Sequence, residues 1–129
     1  MHFLLRKISK LKFDTNGNFI NDIQFINTDL SDFKIDTVPF KFDTVITDVP
    51  EPWIFFENNH INNNLYWVSY LPSISQVSKL ADALQDNSFK DIEIKETIER
   101  EWTIRGNISR PKHTMVGHTG FIVSGRYIL

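Results

Sequence analysis

The sequence contains no cysteine. That excludes disulfides, thiol nucleophiles and every zinc site built on sulfur, and it leaves carboxylate, histidine, hydroxyl and backbone chemistry. Glycine is scarce: Gly17, Gly106, Gly117, Gly120 and Gly125 are the five, and no two of them make a Gly-x-Gly turn. A glycine-rich loop that cradles a phosphate or cofactor is therefore excluded within these residues. No apolar run approaches the roughly 18 residues a membrane span needs. The opening Met1-His-Phe-Leu-Leu-Arg6-Lys7 is too short and too soon charged for a signal peptide. The expected location is intracellular: cytoplasmic, or nuclear in a eukaryote. On that basis the sequon Asn107-Ile108-Ser109 is read as accidental. His113 and His118 are poorly spaced as a metal pair, and no metal is expected.

What is present is the composition of a folded protein. Of 129 residues, 41% are hydrophobic and 23% charged, with 11 phenylalanines, which suits one globular domain able to bury a core. The net charge of −2 argues against a generally basic nucleic-acid coat, but the charge is uneven. Nine acids from Asp14 to Glu57 are opposed only by Lys34 and Lys41. Beyond residue 100, Arg105, Arg110, Lys112 and Arg126 outnumber Glu101, so a local basic surface could hold phosphates, or be ordinary solvated charge.

The hydropathy pattern predicts an amphipathic helix over 4–13, from apolar residues at 4, 5, 8 and 11, then a break at Asp14-Thr-Asn-Gly-Asn. A short strand is expected over 22–28, ending near Asp29, followed by a polar connection over 32–40. Phe42 to Val49 reads as an interior strand, 51–60 as a helix, and Leu65 to Leu71 as a second interior strand. Pro72 and Ser73 start a helix through about Asp86, with Ile74, Val77, Leu80, Ala81 and Leu84 on one face. Ile92, Ile94, Ile98, Trp102 and Ile104 predict one long antiparallel strand, 106–112 a loop, and 120–129 a last strand. The order is that of the second half of an α/β nucleotide-binding sheet, its parallel strands closed by an antiparallel hairpin, with no repeats and no linker.

The stretch that carries most chemistry is Asp43-Thr-Val-Ile-Thr-Asp48-Val-Pro50-Glu-Pro52-Trp53. It runs a strand into a carboxylate at its carboxyl end, where open α/β sheets bind ligands, and then into two prolines that restrict the chain. Trp53 adds a flat face. Two further blocks are Ser69-Tyr70-Leu71-Pro72-Ser-Ile-Ser-Gln76 and Arg110-Pro-Lys-His-Thr-Met115-Val-Gly117-His118-Thr119-Gly120-Phe121. With these three blocks in order, residues 22–129 resemble the tRNA (adenine-N1)-methyltransferases, which use S-adenosylmethionine to modify an adenosine of the T-loop.

The resemblance implies a Rossmann-like class I methyltransferase sheet, of which this chain carries the C-terminal half. It implies that Asp48 is the catalytic carboxylate, accepting a hydrogen bond from the adenine 6-amino group and also facing the cofactor. It sets Asp29 against the cofactor adenine, and Pro50, Trp53, Tyr70, Pro72 and Gln76 around the target base. Arg110, His118 and Thr119 would contact the site or the RNA backbone. The partners implied are tRNA and either further copies of the chain, as tetramers in the family, or a homologous subunit. Methyl transfer to N1 then depends more on alignment than on a strong base, and the base must leave its stack to enter the site.

Structural alternatives stand beside these roles: Asp48 and Asp29 as turn acids, Trp53 as core, Gln76 as helix surface, His118 as a hydrogen-bonded structural histidine. The basic group around Arg110 has its own alternative as a solvated loop or subunit contact. The family's glycine-rich turn, the acid ending its second strand and its N-terminal small domain are missing from these 129 residues. The expectation is a partial methyltransferase domain over 1–129, inactive alone: a truncated chain, or else a noncatalytic tRNA-binding or subunit-interaction module, with an enzyme of another class the third account.

Overall fold

A computed structural model describes residues 3–6, 23–38 and 41–129. Its centre is a four-stranded sheet of β3 (Thr44–Thr47), β4 (Leu65–Leu71), β5 (Lys90–Glu96) and β8 (Phe121–Tyr127), in the order β3-β4-β8-β5. β3 and β4 are parallel, with Thr44 opposite Tyr66 and Thr47 opposite Ser69. β8 runs antiparallel between β4 and β5. The expected half-sheet, parallel strands closed by an antiparallel pair, is thus the architecture observed.

β3, expected as an interior strand over 42–49, is Thr44–Thr47 at the edge of the described sheet, while β4 lies inside it; both form because their branched and aromatic residues alternate. In β4, Leu65, Trp67, Ser69 and Leu71 are buried while Tyr66 and Tyr70 are exposed. Helix α2 (Ile74–Asp86) covers the buried face with Val77, Leu80 and Leu84, each worth about 1.5–3 kcal/mol of apolar transfer. Ser73 begins it, its hydroxyl accepting from the Gln76 N–H at 3.4 Å. Before it, a 3-10 turn (Pro52–Ile54) runs directly into the one-turn helix α1 (Phe55–Asn58), shorter than the helix expected over 51–60. Phe55 is fully buried against Trp67, with ring centroids 5.2 Å apart. The two polar groups under this layer satisfy each other: Thr47 and Ser69 share a hydrogen bond of 2.5 Å, and Trp67 donates to Ser69 at 2.8 Å.

Other expectations need correction. Leu4 to Arg6, expected to open a helix, instead lie in strand β1 (Phe3–Arg6), paired antiparallel with β2 (Ile23–Ile26) in a separate two-stranded sheet. The rest of that expected helix lies outside the described residues. β2 therefore does not join the main sheet, although it does end just before Asp29. The polar connection holds a 3-10 turn (Ile35–Thr37) and two core residues, Phe33 and Val38. The long strand drawn through Ile92 to Ile104 is two strands, because its partner β8 ends at Phe121 opposite Glu96 and leaves nothing for residue 97 onward to pair with. The chain resumes as β6 (Trp102–Arg105), which pairs with β7 (Ile108–Pro111) in a hairpin where a loop was expected. Gly106, at φ 56°, supplies the left-handed residue its tight turn needs.

Candidate functional site

At the carboxyl ends of β3 and β4 the chain makes its two strand-to-helix turns side by side. Asp48 follows Thr47 as an exposed residue, and the parallel register brings it beside Tyr70 on the next strand. Val49 and Pro52 turn inward into the core while Pro50 and Glu51 stay outside. Trp53 is half-buried, with the Lys79 ammonium of α2 5.3 Å from its ring centre, so it serves both as packing surface and as a cation-binding face.

Gln76 reaches from the first turn of α2 to donate to the Pro50 carbonyl at 2.9 Å, while its own amide oxygen accepts from Ser73 at 2.8 Å. Its side chain braces the Asp48 turn against α2. The spacing Ser73-x-x-Gln76 is a capping-box signature, which marks the helix start but not the bond to Pro50.

The third block closes over the second turn. Tyr70 donates its hydroxyl hydrogen to the Thr119 carbonyl, and its ring lies where a Cβ on Gly120 would be. Gly120 is buried at φ 145°, a backbone that other residues rarely adopt, so glycine is required there on two counts. His118 sits between two acceptors, Glu96 at 2.6 Å from Nδ1 and the Pro72 carbonyl at 2.7 Å from Nε2. The Glu96 carboxylate first, and the Pro72 carbonyl second, raise its pKa above the ordinary value of 6.5. Both ring nitrogens then donate, which is the imidazolium form. His118 thereby ties the end of β5 to the turn before α2. Glu96 and Lys79 were not singled out from the sequence, because their partners lie in other elements.

The structure thus brings Asp48, Pro50, Tyr70, Pro72, Gln76, His118 and Thr119 into one strand-end cluster with Trp53 beside it. Arg110 stands apart on β7, where Thr103, Arg105, Ile108, Arg110, Lys112 and His113 line a cleft of about 560 Å³. Lys112 pairs with Glu101 and also donates its N–H to the Glu101 carbonyl at 2.9 Å. Asp29 opens the turn after β2, its carbonyl accepting from the N–H groups of Asp32 and Phe33 at 3.1 Å. Among the described residues no group of three or more metal-ligating side chains is found, and no helix is long and apolar enough to cross a membrane.

A cofactor such as S-adenosylmethionine would need backbone to approach it closely. Neither strand-to-helix turn of the main sheet, 48–52 or 72–73, contains glycine. Gly120 is filled by Tyr70, Gly125 lies under Phe89, Leu84 and Ile92, and Gly106 turns the hairpin. Gly117, with nothing within 4 Å of it, lies in the third block and not in either of those turns.

Comparisons with known proteins place this geometry. Residues 22–109 match the family described as tRNA methyltransferase complex GCD14 subunit. The tRNA (adenine(57)-N(1)/adenine(58)-N(1))-methyltransferase TrmI of Methanocaldococcus jannaschii is 39% identical over 89 residues, 65% of this chain and 31% of that protein. TrmI of Thermus thermophilus, a tRNA (adenine(58)-N(1))-methyltransferase, is 34% identical over 87 residues, 66% of this chain and 34% of that protein. The chain thus spans about a third of the length of these relatives. Among solved structures, the tRNA (m1A58) methyltransferase TrmI of Aquifex aeolicus superposes with a TM-score of 0.59 at 31% identity, covering 68% of this chain and 36% of that one. A SAM-dependent O-methyltransferase of Thermotoga maritima superposes at 0.66 with 24% identity over 79% of this chain and 38% of that one, which shows the shared fold. Half-sheet and matched span agree: the chain carries the C-terminal half of a Rossmann-like methyltransferase sheet, and it belongs to the family of the tRNA methyltransferase complex GCD14 subunit.

Proposed function

We propose that this chain is the substrate-facing part of a tRNA (adenine-N1)-methyltransferase, acting on a T-loop adenosine and inactive on residues 1–129 alone. The observation that carries the reading is the braced Asp48 turn: an exposed carboxylate one residue past the Thr47–Ser69 pair, held by Gln76 through Pro50, with Trp53 following the two prolines. In this role Asp48 accepts a hydrogen bond from the 6-amino group of the target adenine, and the aromatic and proline faces set the plane of the base. Holding N1 in line supplies much of the barrier reduction, since N1 already carries a lone pair. The methyl-donor side of the reaction is not assigned to these residues, which lack its glycine turn.

The test is a chimaera in which residues 22–129 replace the matching stretch of the Methanocaldococcus relative, incubated with a tRNA transcript and S-adenosylmethionine. Nucleoside mass spectrometry should find 1-methyladenosine. A folded chimaera that binds tRNA and forms none would contradict the reading.

A second reading, a noncatalytic module that binds tRNA or a subunit, draws on the β6–β7 hairpin. Its register puts Thr103, Arg105, Ile108 and Arg110 on one face and Trp102, Ile104, Ser109 and Pro111 on the other. The first face carries Arg105 and Arg110 and, with Pro111 at the edge, lines the cleft; the second carries Trp102 and Ile104, the latter 75% exposed. Under this reading the basic face takes RNA phosphates and the apolar face a second copy or a homologous subunit. Salt-dependent tRNA binding by the isolated chain, without any chimaera, would support it; no binding at low salt would count against it.

A further inference from the structure

One buried amide outside the strand-end cluster ties residues 33–35 to the first residue of α1. Asn59 is 2% exposed. It accepts from the Ile35 N–H at 2.6 Å and donates through Nδ2 to the carbonyls of Phe33 at 3.0 Å and Phe55 at 2.8 Å. Both of its amide hydrogens are used, and only a carboxamide can accept once and donate twice in this way. Its neighbour Asn58 donates to the Ser31 carbonyl at 2.7 Å, and the rings of Phe33 and Phe55 stack with centroids 6.1 Å apart. On one side of this clasp Phe33 also closes the turn that Asp29 opens. On the other, α1 runs back through the 3-10 turn to Pro50 and Asp48.

We propose that Asn59 is a positioning residue, fixing the Asp29 turn against the Asp48 turn so that acids carried after strands of two separate sheets keep one spacing. The inference rests on the reading of Asp29 and Asp48 as the acids of the site. Asn59 acts through the backbone it holds and touches neither acid's ligand. Phe33 and Phe55 supply the apolar contact; the amide supplies the register, because it bonds three particular backbone groups.

The test is Asn59→Asp in the full 129-residue chain, read by amide hydrogen exchange. An ionised carboxylate still accepts from Ile35 but repels the Phe33 and Phe55 carbonyls, whereas a protonated one regains a donor. Protection at Thr37 and Val38 should fall about tenfold near pH ~8, the effect of one net hydrogen bond, and recover in part near pH ~5, while Ile35, which keeps its acceptor, should fall less. Amides of β4 and β8 should keep theirs. Asn58→Ala, on an exposed side chain, should cost the same segment about threefold. Unchanged protection in both variants, a loss spread equally through β4 and β8, or an Asn59→Asp chain unfolded at both pH values would overturn the proposal. The readout contains neither RNA nor methyl donor. A local, pH-dependent loss in a chain whose chimaera never methylates would refute the methyltransferase reading and leave the clasp standing.

Discussion

His118 stands between a carboxylate and a carbonyl, and its protonation state decides whether both contacts exist. Its pKa is raised, first by Glu96 and then by Pro72. A raised histidine pKa contributes stability that is complete below the unfolded value of about 6.5 and is lost as pH rises through the higher folded value. The ring carbon resonances of His118 should therefore titrate above 6.5, and Glu96→Gln should move the midpoint down toward it. A midpoint at or below 6.5 in the unaltered chain would remove the clamp. Two positions away, Gly120→Ala places a methyl against the Tyr70 ring on a backbone at φ 145°. The combined strain should cost about 1–3 kcal/mol in urea unfolding, while Gly117→Ala, which meets nothing within 4 Å, should cost far less.

At the scale of elements, the site is a set of braces between turns. Removing one, by Gln76→Ala, deletes the bond to Pro50 and the partner of Ser73; we expect a loss of about 1–2 kcal/mol in urea unfolding. An unchanged midpoint would mean that the Asp48 turn stands without α2. The elements that were legible in sequence are those whose burial pattern is local: β4 alternates, α2 repeats Val77, Leu80 and Leu84 on one face, and both match their expected bounds closely. The elements missed were decided by partners distant in sequence. β1 has helical spacing but is paired by β2, and the segment after Glu96 alternates like a strand yet outruns β8. The β6–β7 turn did leave a local sign, Gly106-Asn107 between two strand-like runs. For the candidate site, the strand end and the two prolines made an exposed carboxylate at a tight turn readable. The braces through Gln76, His118 and Asn59 were not, since hydrogen-bond partners on other elements leave no periodicity.

At the scale of the whole molecule, the described residues expose two apolar surfaces. The outer edge of β3 has no partner strand among the described residues, and on the sheet face away from α2, Ile46 is 66% exposed beside Tyr66, Tyr70 and Ile122. The hairpin presents Trp102 and Ile104 separately. A parallel strand pair is normally covered on both faces, and an open edge is a template for association. Sedimentation velocity over about a hundredfold range of concentration should show species heavier than the 15.1 kDa chain. Ile104→Lys should shift the distribution toward monomer if the hairpin is the contact, and a chain monomeric throughout would contradict this.

The proposed function rests on the exposed carboxylate at the end of β3. The most direct measurement is the rate of 1-methyladenosine formation by the chimaera with Asp48→Asn, alongside its affinity for tRNA. Loss of a charged hydrogen-bond acceptor for the 6-amino group should lower kcat/KM about tenfold to a hundredfold, with tRNA affinity unchanged. Methylation at the unaltered rate would contradict the account, because the base would then be held without the residue on which the site is built.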